Sequence, residues 1–161
     1  MFDDAGFTVD DKMPDGNTTI GEELIRPTEL YVKPIVALFE KEYNINGLAH
    51  ITGGGFTNLR RLKKGVGYDI NNLPEVPEIF KLIYEQNVDI KEMYRVFNMG
   101  VGFVVIAEES EAEKIMDTLK EYCSCQIIGE VTADETIKVK AFEGSEIEYW
   151  FDKKIEVCEW R

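Results

Sequence analysis

Apolar positions along the chain come in short blocks that switch between strand and helix spacing. Gly47-Leu48-Ala49-His50-Ile51-Thr52 is an apolar run of strand length, and Val66-Gly67-Tyr68-Asp69-Ile70 alternates as a second strand. Ahead of them, residues 28–32 read as a short strand. Pro34 then suits a first helical position, where its missing N–H is harmless, and Ile35, Leu38 and Phe39 continue at helical spacing to near Asn44. A helix is predicted from Pro77 to about Gln86, with Ile79, Phe80, Leu82 and Ile83 on its buried side. Asp89-Ile90-Lys91-Glu92 is a capping-box pattern for a helix through Phe97, and Ser110-Glu111-Ala112-Glu113 is another for a helix through about Tyr122. Between them, Phe103-Val104-Val105-Ile106-Ala107 reads as a central strand buried on both faces. Residues 126–131, 136–141 and 147–151 read as strands separated by polar turns, with a final edge expected over 155–161. Interleaved helices and strands with a hairpin-like ending predict an α+β fold, a mixed sheet covered by helices.

Residues 1–26 carry neither period. Asp10-Asp11-Lys12-Met13-Pro14-Asp15-Gly16-Asn17 is turn-rich, yet Phe2, Phe7, Ile20, Leu24 and Ile25 are apolar. These residues are expected to form an extended connector arm packed on something, with the domain proper over 27–161.

The stretch around which the chain is organised is Ala49-His50-Ile51-Thr52-Gly53-Gly54-Gly55-Phe56-Thr57-Asn58-Leu59, a buried strand running into three glycines and then Thr57-Asn58, read as a helix start. Consecutive glycines are costly to order, and a chain retains them where backbone must come close to something. Free N–H groups at such a turn suit an anion, although a tight strand-to-helix turn without a ligand explains the same residues. Charge sharpens the choice. The 161 residues hold 31 Asp+Glu against 18 Lys+Arg, a net charge of −13, yet no acid occurs from Tyr43 to Tyr68, where Arg60, Arg61, Lys63 and Lys64 lie. A positive island in a negative chain is what an anionic ligand needs. The acidic balance argues against nonspecific nucleic-acid binding. No apolar run approaches the ~20 residues of a membrane span, and the first residues lack the pattern of a signal peptide. Cys123, Cys125 and Cys158 suggest no disulfide framework, and with His50 as the lone histidine no metal site is expected; the composition suits the cytoplasm.

No P-loop or dinucleotide fingerprint is present. A second acid-free stretch, residues 94–107, holds Arg95 as its one charge, with Asn98, Gly100 and Gly102 before an apolar run. Arg95 suits a bidentate contact to carboxylate or phosphate, or a purely structural pair. Asn98 either caps the turn or presents its amide to a ligand. His50, beside the glycine turn, is either a satisfied strand histidine or a catalytic or orienting group.

Gly47-Leu48-Ala49-His50-Ile51-Thr52-Gly53-Gly54-Gly55-Phe56 resembles the glycine motif of the phosphoribosylformylglycinamidine cyclo-ligase (AIR synthetase) family. Glu92-Met93-Tyr94-Arg95-Val96-Phe97-Asn98-Met99-Gly100-Val101-Gly102 resembles its second signature. Gly21-Glu22-Glu23-Leu24-Ile25-Arg26-Pro27-Thr28, Tyr31-Val32-Lys33-Pro34 and Ile128-Gly129-Glu130-Val131 follow the family pattern in order. The resemblance covers about residues 20–132 and concerns the C-terminal half, an α/β/α layered domain partly like the ferredoxin fold. It implies ATP-dependent closure of formylglycinamidine ribonucleotide to aminoimidazole ribonucleotide. By the same likeness, ATP, Mg2+ and the homodimer interface belong mainly to an N-terminal half, to which residues 1–26 would connect. His50 would be catalytic, and Thr52, Gly53, Gly54, Gly55, Arg95 and Asn98 would bind substrate. Thr57-Asn58-Leu59-Arg60 departs from the family's usual continuation of the loop. A noncatalytic nucleotide-binding or regulatory module, or a structural subunit, are the competing expectations.

Overall fold

A computed structural model describes residues 5–150. Its main sheet has four strands in the order β4-β2-β5-β6, where β2 is Gly67–Ile70, β4 Gly129–Thr132, β5 Thr136–Lys140 and β6 Glu146–Trp150. β2 runs antiparallel to β4 and parallel to β5, and β5 and β6 form a hairpin. The hairpin turn closes with Gly144 at φ 99°, a conformation that suits glycine. Alternation places Ile137 and Val139 of β5 in the core with no exposed surface.

A separate antiparallel pair joins β1 (Ile45–His50) to β3 (Phe103–Ala107), with Ile45 opposite Ala107 and His50 opposite Phe103. Helices α2 (Val32–Glu40) and α5 (Glu109–Leu119) pack against each other beside this pair through Leu38, Ile115 and Leu119. The larger core gathers Ile51, Phe56 and Leu59 with β2, β5 and helix α4 (Ile90–Val96), and α3 (Glu78–Tyr84) adds Ile83. Among the described residues, no helix is long and apolar enough to cross a membrane.

Helices and a mixed sheet give the expected α+β class, but several elements differ from their expected form. Residues 28–32 are not a strand: Tyr31 is the N-cap of α2, and Pro34 is its third residue. Proline is tolerated there because the first N–H groups of a helix have no intrahelical acceptor. β3 is not a central strand; among the described residues it pairs with β1 alone, and all its residues are half-buried. α5 begins before Ser110, with Glu108 as an N-cap whose side chain makes no capping bond to the helix. Glu111 instead accepts from the Asn44 N–H at 2.8 Å, which ties α5 to the approach to β1. Asp89 does cap α4, accepting from the N–H groups of Lys91 and Glu92, but Glu92 turns away to Arg95 rather than completing the box.

The arm holds a regular element after all. Thr19 and Glu22 form a complete capping box for the short helix α1 (Ile20–Leu24). Met13 and Ile20 are buried against Leu82 of α3. The edge expected over 155–161 lies outside the described residues.

Candidate functional site: the glycine turn

The turn begins where β1 runs out. The Ile51 N–H donates to the Gly102 carbonyl at 2.9 Å, carrying the β1–β3 pairing past His50 and burying Ile51. The chain then reverses: the Gly55 N–H donates to the Thr52 carbonyl at 2.9 Å, and a 3-10 helix spans Gly55–Arg61. Gly54 (φ 100°) and Gly55 (φ 51°) are left-handed. A Cβ at Gly55 would collide with the Tyr94 carbonyl and press on that of Phe97, so this glycine lets the turn seat on the end of α4. Gly53 is different: it is exposed, a Cβ there would meet nothing within 4 Å, and its φ is not left-handed. Neither packing nor backbone conformation demands a glycine at that position.

Asn58, read from sequence as part of a helix start, is the buried polar residue of the turn, 5% exposed. Its amide nitrogen reaches the carbonyls of Thr52 and Gly53 at 3.5 and 3.4 Å, long bonds, while its Oδ1 is buried without a protein partner. The Thr57 hydroxyl donates to the Gly54 carbonyl at 2.5 Å. The turn is therefore held from inside by side chains of its own helix. An asparagine between apolar Phe56 and Leu59 was the available signal for this role.

The two stretches singled out by sequence meet here, through Ile51 on Gly102 and Gly55 on Tyr94 and Phe97. Asn98 shapes the second one: its Oδ1 accepts from Gly100 N–H at 3.0 Å and its carbonyl from Val101 N–H at 2.9 Å, with Met99 and Gly100 both left-handed. Arg95 stands in the last turn of α4, exposed, with its guanidinium forked onto Glu92 through two bonds of 2.8 Å. That pair raises the guanidinium pKa further and lowers the Glu92 carboxyl, the mutual hydrogen bonds being the leading cause. The bidentate geometry anticipated for a ligand is thus already satisfied within the helix.

His50 is exposed at the end of β1, in a cluster of three rings. Its ring lies 6.0 Å from Phe103, nearly parallel, and 5.8 Å edge-on from Tyr31; Tyr31 and Phe103 are 5.2 Å apart. Burial pushes the Tyr31 phenol up, helped by the charge of Glu29, and its hydroxyl rests against Gly102, where a side chain would collide with it. Tyr31 thereby fixes the His50 side of the turn. Arg60 and Arg61 fall in the last turn of the 3-10 helix, about 12 Å from the glycines at ~2 Å rise per residue. The backbone of Arg60 and Arg61 is thus set back from the glycines along the helix axis. Among the described residues, no group of three or more His, Cys, Asp or Glu is arranged to hold a metal ion.

Comparison with known proteins places this geometry. Residues 4–141 match the family described as AIR synthase related protein, C-terminal domain. The phosphoribosylformylglycinamidine cyclo-ligase of Methanobrevibacter smithii is 78% identical over 149 residues, 92% of this chain and 44% of that protein. The cyclo-ligase of Methanocaldococcus jannaschii is 41% identical over 158 residues, 96% of this chain and 45% of its own length. The chain thus spans less than half the length of these relatives. Among solved structures, the hydrogenase maturation protein HypE of E. coli shares the fold at TM-score 0.61 and 19% identity, over 84% of this chain and 43% of that one. The family match over residues 4–141 and the 78% identity over 92% of the chain show that it belongs to the AIR synthase related family, as its C-terminal domain.

Proposed function

We propose that this chain is the C-terminal portion of an ATP-dependent phosphoribosylformylglycinamidine cyclo-ligase, closing formylglycinamidine ribonucleotide to aminoimidazole ribonucleotide in purine biosynthesis. The observation that carries this reading is the 78% identity to the Methanobrevibacter smithii enzyme over 92% of the chain. In the reaction, ATP phosphorylates the formyl oxygen, the amidine nitrogen attacks the same carbon, and phosphate leaves as the ring closes. The exposed Gly53 backbone beside Thr52 and Gly54 receives the ribonucleotide, and Gly55 seats the turn. His50, braced by Phe103 and Tyr31, orients the reacting group or relays its proton. Asn98 shapes the neighbouring turn; Arg95 reaches the substrate only by exchanging Glu92 for it. ATP and Mg2+ sit mainly on an N-terminal half. Residues 1–26 join that half to the domain at 27–161, and the complete enzyme works as a homodimer in the cytoplasm.

The test is reconstitution. The purified chain is mixed with the N-terminal remainder of the Methanobrevibacter smithii enzyme, ATP, Mg2+ and substrate. Aminoimidazole ribonucleotide is expected only when both portions are present, and turnover by this chain alone would refute the two-part reading. In the active mixture, His50→Ala should lower turnover at least about tenfold, the lower side of acid–base contributions; an undiminished rate would make His50 a packing residue.

A further inference from the structure

β3 and β4 each present a free edge, among the described residues, to one groove of about 800 Å³. Side chains alternate across a strand, so a cavity on a sheet face is lined by every second residue. Here every residue of β3 lines the groove, and so does every residue from 127 to 131. The opening therefore runs along the strand edges. On the other side of β4's approach, the Ile128 carbonyl accepts from the N–H groups of Asn71 and Asn72 at 3.1 Å, so that side is occupied. α5 closes the back with Ala112, Ile115 and Met116, and Glu109 and Glu130 add acidic groups to the lining. The same geometry accounts for β3: a strand apolar at every position, as a central strand is, yet half-buried throughout because it lacks a second neighbour. Long unpaired apolar edges invite aggregation, and natural sheets cover them.

We propose that this groove receives an extended, mainly apolar segment from the N-terminal portion found in the longer relatives, joining the two sheets by strand addition. This inference rests on reading the chain as the C-terminal portion of a two-part enzyme. The relatives supply more than half of their length outside the matched region, and the matched family is a C-terminal domain, so the occupant precedes it. A segment matching the 5 residues of β3 is about 17 Å long at ~3.3 Å per residue. Backbone bonds to both edges supply affinity, the apolar wall selects apolar side chains, and Glu109 and Glu130 favour lysine or arginine near them.

Hydrogen exchange tests it, with the N-terminal remainder of the Methanobrevibacter smithii enzyme added in trans to the full chain. Amides in 103–107 and 127–131 should slow at least about tenfold on binding, while the β5–β6 hairpin stays unchanged. Ile127→Lys with Val131→Lys, both about half-exposed and so tolerated by the fold, should weaken association at least about tenfold. Phe39→Lys, on the exposed face of α2, should not. Loss of association through Phe39→Lys alone would overturn the assignment, as would slowing that appears in the chain by itself and grows with its concentration. Restored turnover without slowing in 103–107 would sink the groove and leave the enzyme reading intact. Slowing without turnover would do the reverse.

Discussion

At Gly55 an added methyl group would collide with the backbone carbonyl of Tyr94 and adopt an unfavourable φ of 51°, whereas at Gly53 it would enter open space. Two residues of one type, two positions apart, therefore answer to different physics, packing in one case and access in the other. Gly55→Ala should destabilise the fold by about 2–4 kcal/mol through strain and overpacking. Gly53→Ala should stay within about 0.5 kcal/mol in denaturant melts, as a surface change does. If the Gly53 backbone meets the ribonucleotide, that second variant should bind it about tenfold more weakly in the reconstituted enzyme. Unaltered affinity would remove Gly53 from the site. The glycine triplet and the 94–102 stretch were legible in sequence because composition departs sharply there from the acidic remainder. Their contact through Ile51 and Gly102 was not, since strand register is a property of two distant segments. The pairing of Arg95 with Glu92 could have been read from their spacing, which places both on one helix face.

Among the elements, boundaries set by local chemistry were the most legible and those set by partners the least. Asp89 caps α4 as its sequence pattern indicates, and Thr19 with Glu22 carries the same signature for α1, visible in Thr19-Ile20-Gly21-Glu22. Residues 28–32 have strand composition but lie where Tyr31 must reach Gly102 and Phe103, and tertiary packing prevails over propensity. The connection from β4 to β5 offers a local test. The Thr132 hydroxyl donates to Asp134 at 2.6 Å, and Lys138 lies 3.3 Å from the same carboxylate. The Thr132 bond first, then Lys138, lowers the carboxyl pKa to about 2. A carboxylate with a folded pKa below its unfolded value binds fewer protons when folded. Its stabilisation is therefore complete above about pH 4, the unfolded pKa, and is lost as pH falls through about 2. An NMR titration should place the Asp134 midpoint near 2. Thr132→Val should move it up towards the ordinary aspartate range; a midpoint already ordinary in the parent chain would show that the turn bond does not persist in solution.

On the scale of the whole molecule, the open question is whether the first residues belong to the domain or only lead into it. Sequence shows apolar residues without a period, which fits a tether as well as a packed segment. The structure separates them by burial: Ile20 is 1% exposed and Ile25, five residues later, 82% exposed. Ile20 and Met13 close over Leu82, so the segment adds a small core to α3 while its last residues leave Leu24, Ile25 and Leu30 at the surface. The inward residues anchor the segment and the outward ones stay exposed; if the proposed two-part reading holds, the N-terminal portion covers the latter. Truncating a buried isoleucine to alanine typically costs about 2–5 kcal/mol, from lost transfer energy and the cavity left behind. The cluster is small and can partly collapse, so Ile20→Ala should cost about 2–3 kcal/mol, lowering the melting temperature by several degrees at this chain length. Ile25→Ala should change it by no more than about 0.5 kcal/mol in the isolated chain. When the N-terminal portion is added, Ile25→Ala should weaken association while Ile20→Ala acts through stability alone. Equal and negligible effects of the two substitutions on melting would mean that residues 5–26 are a tether after all, with no part in the stability of the domain.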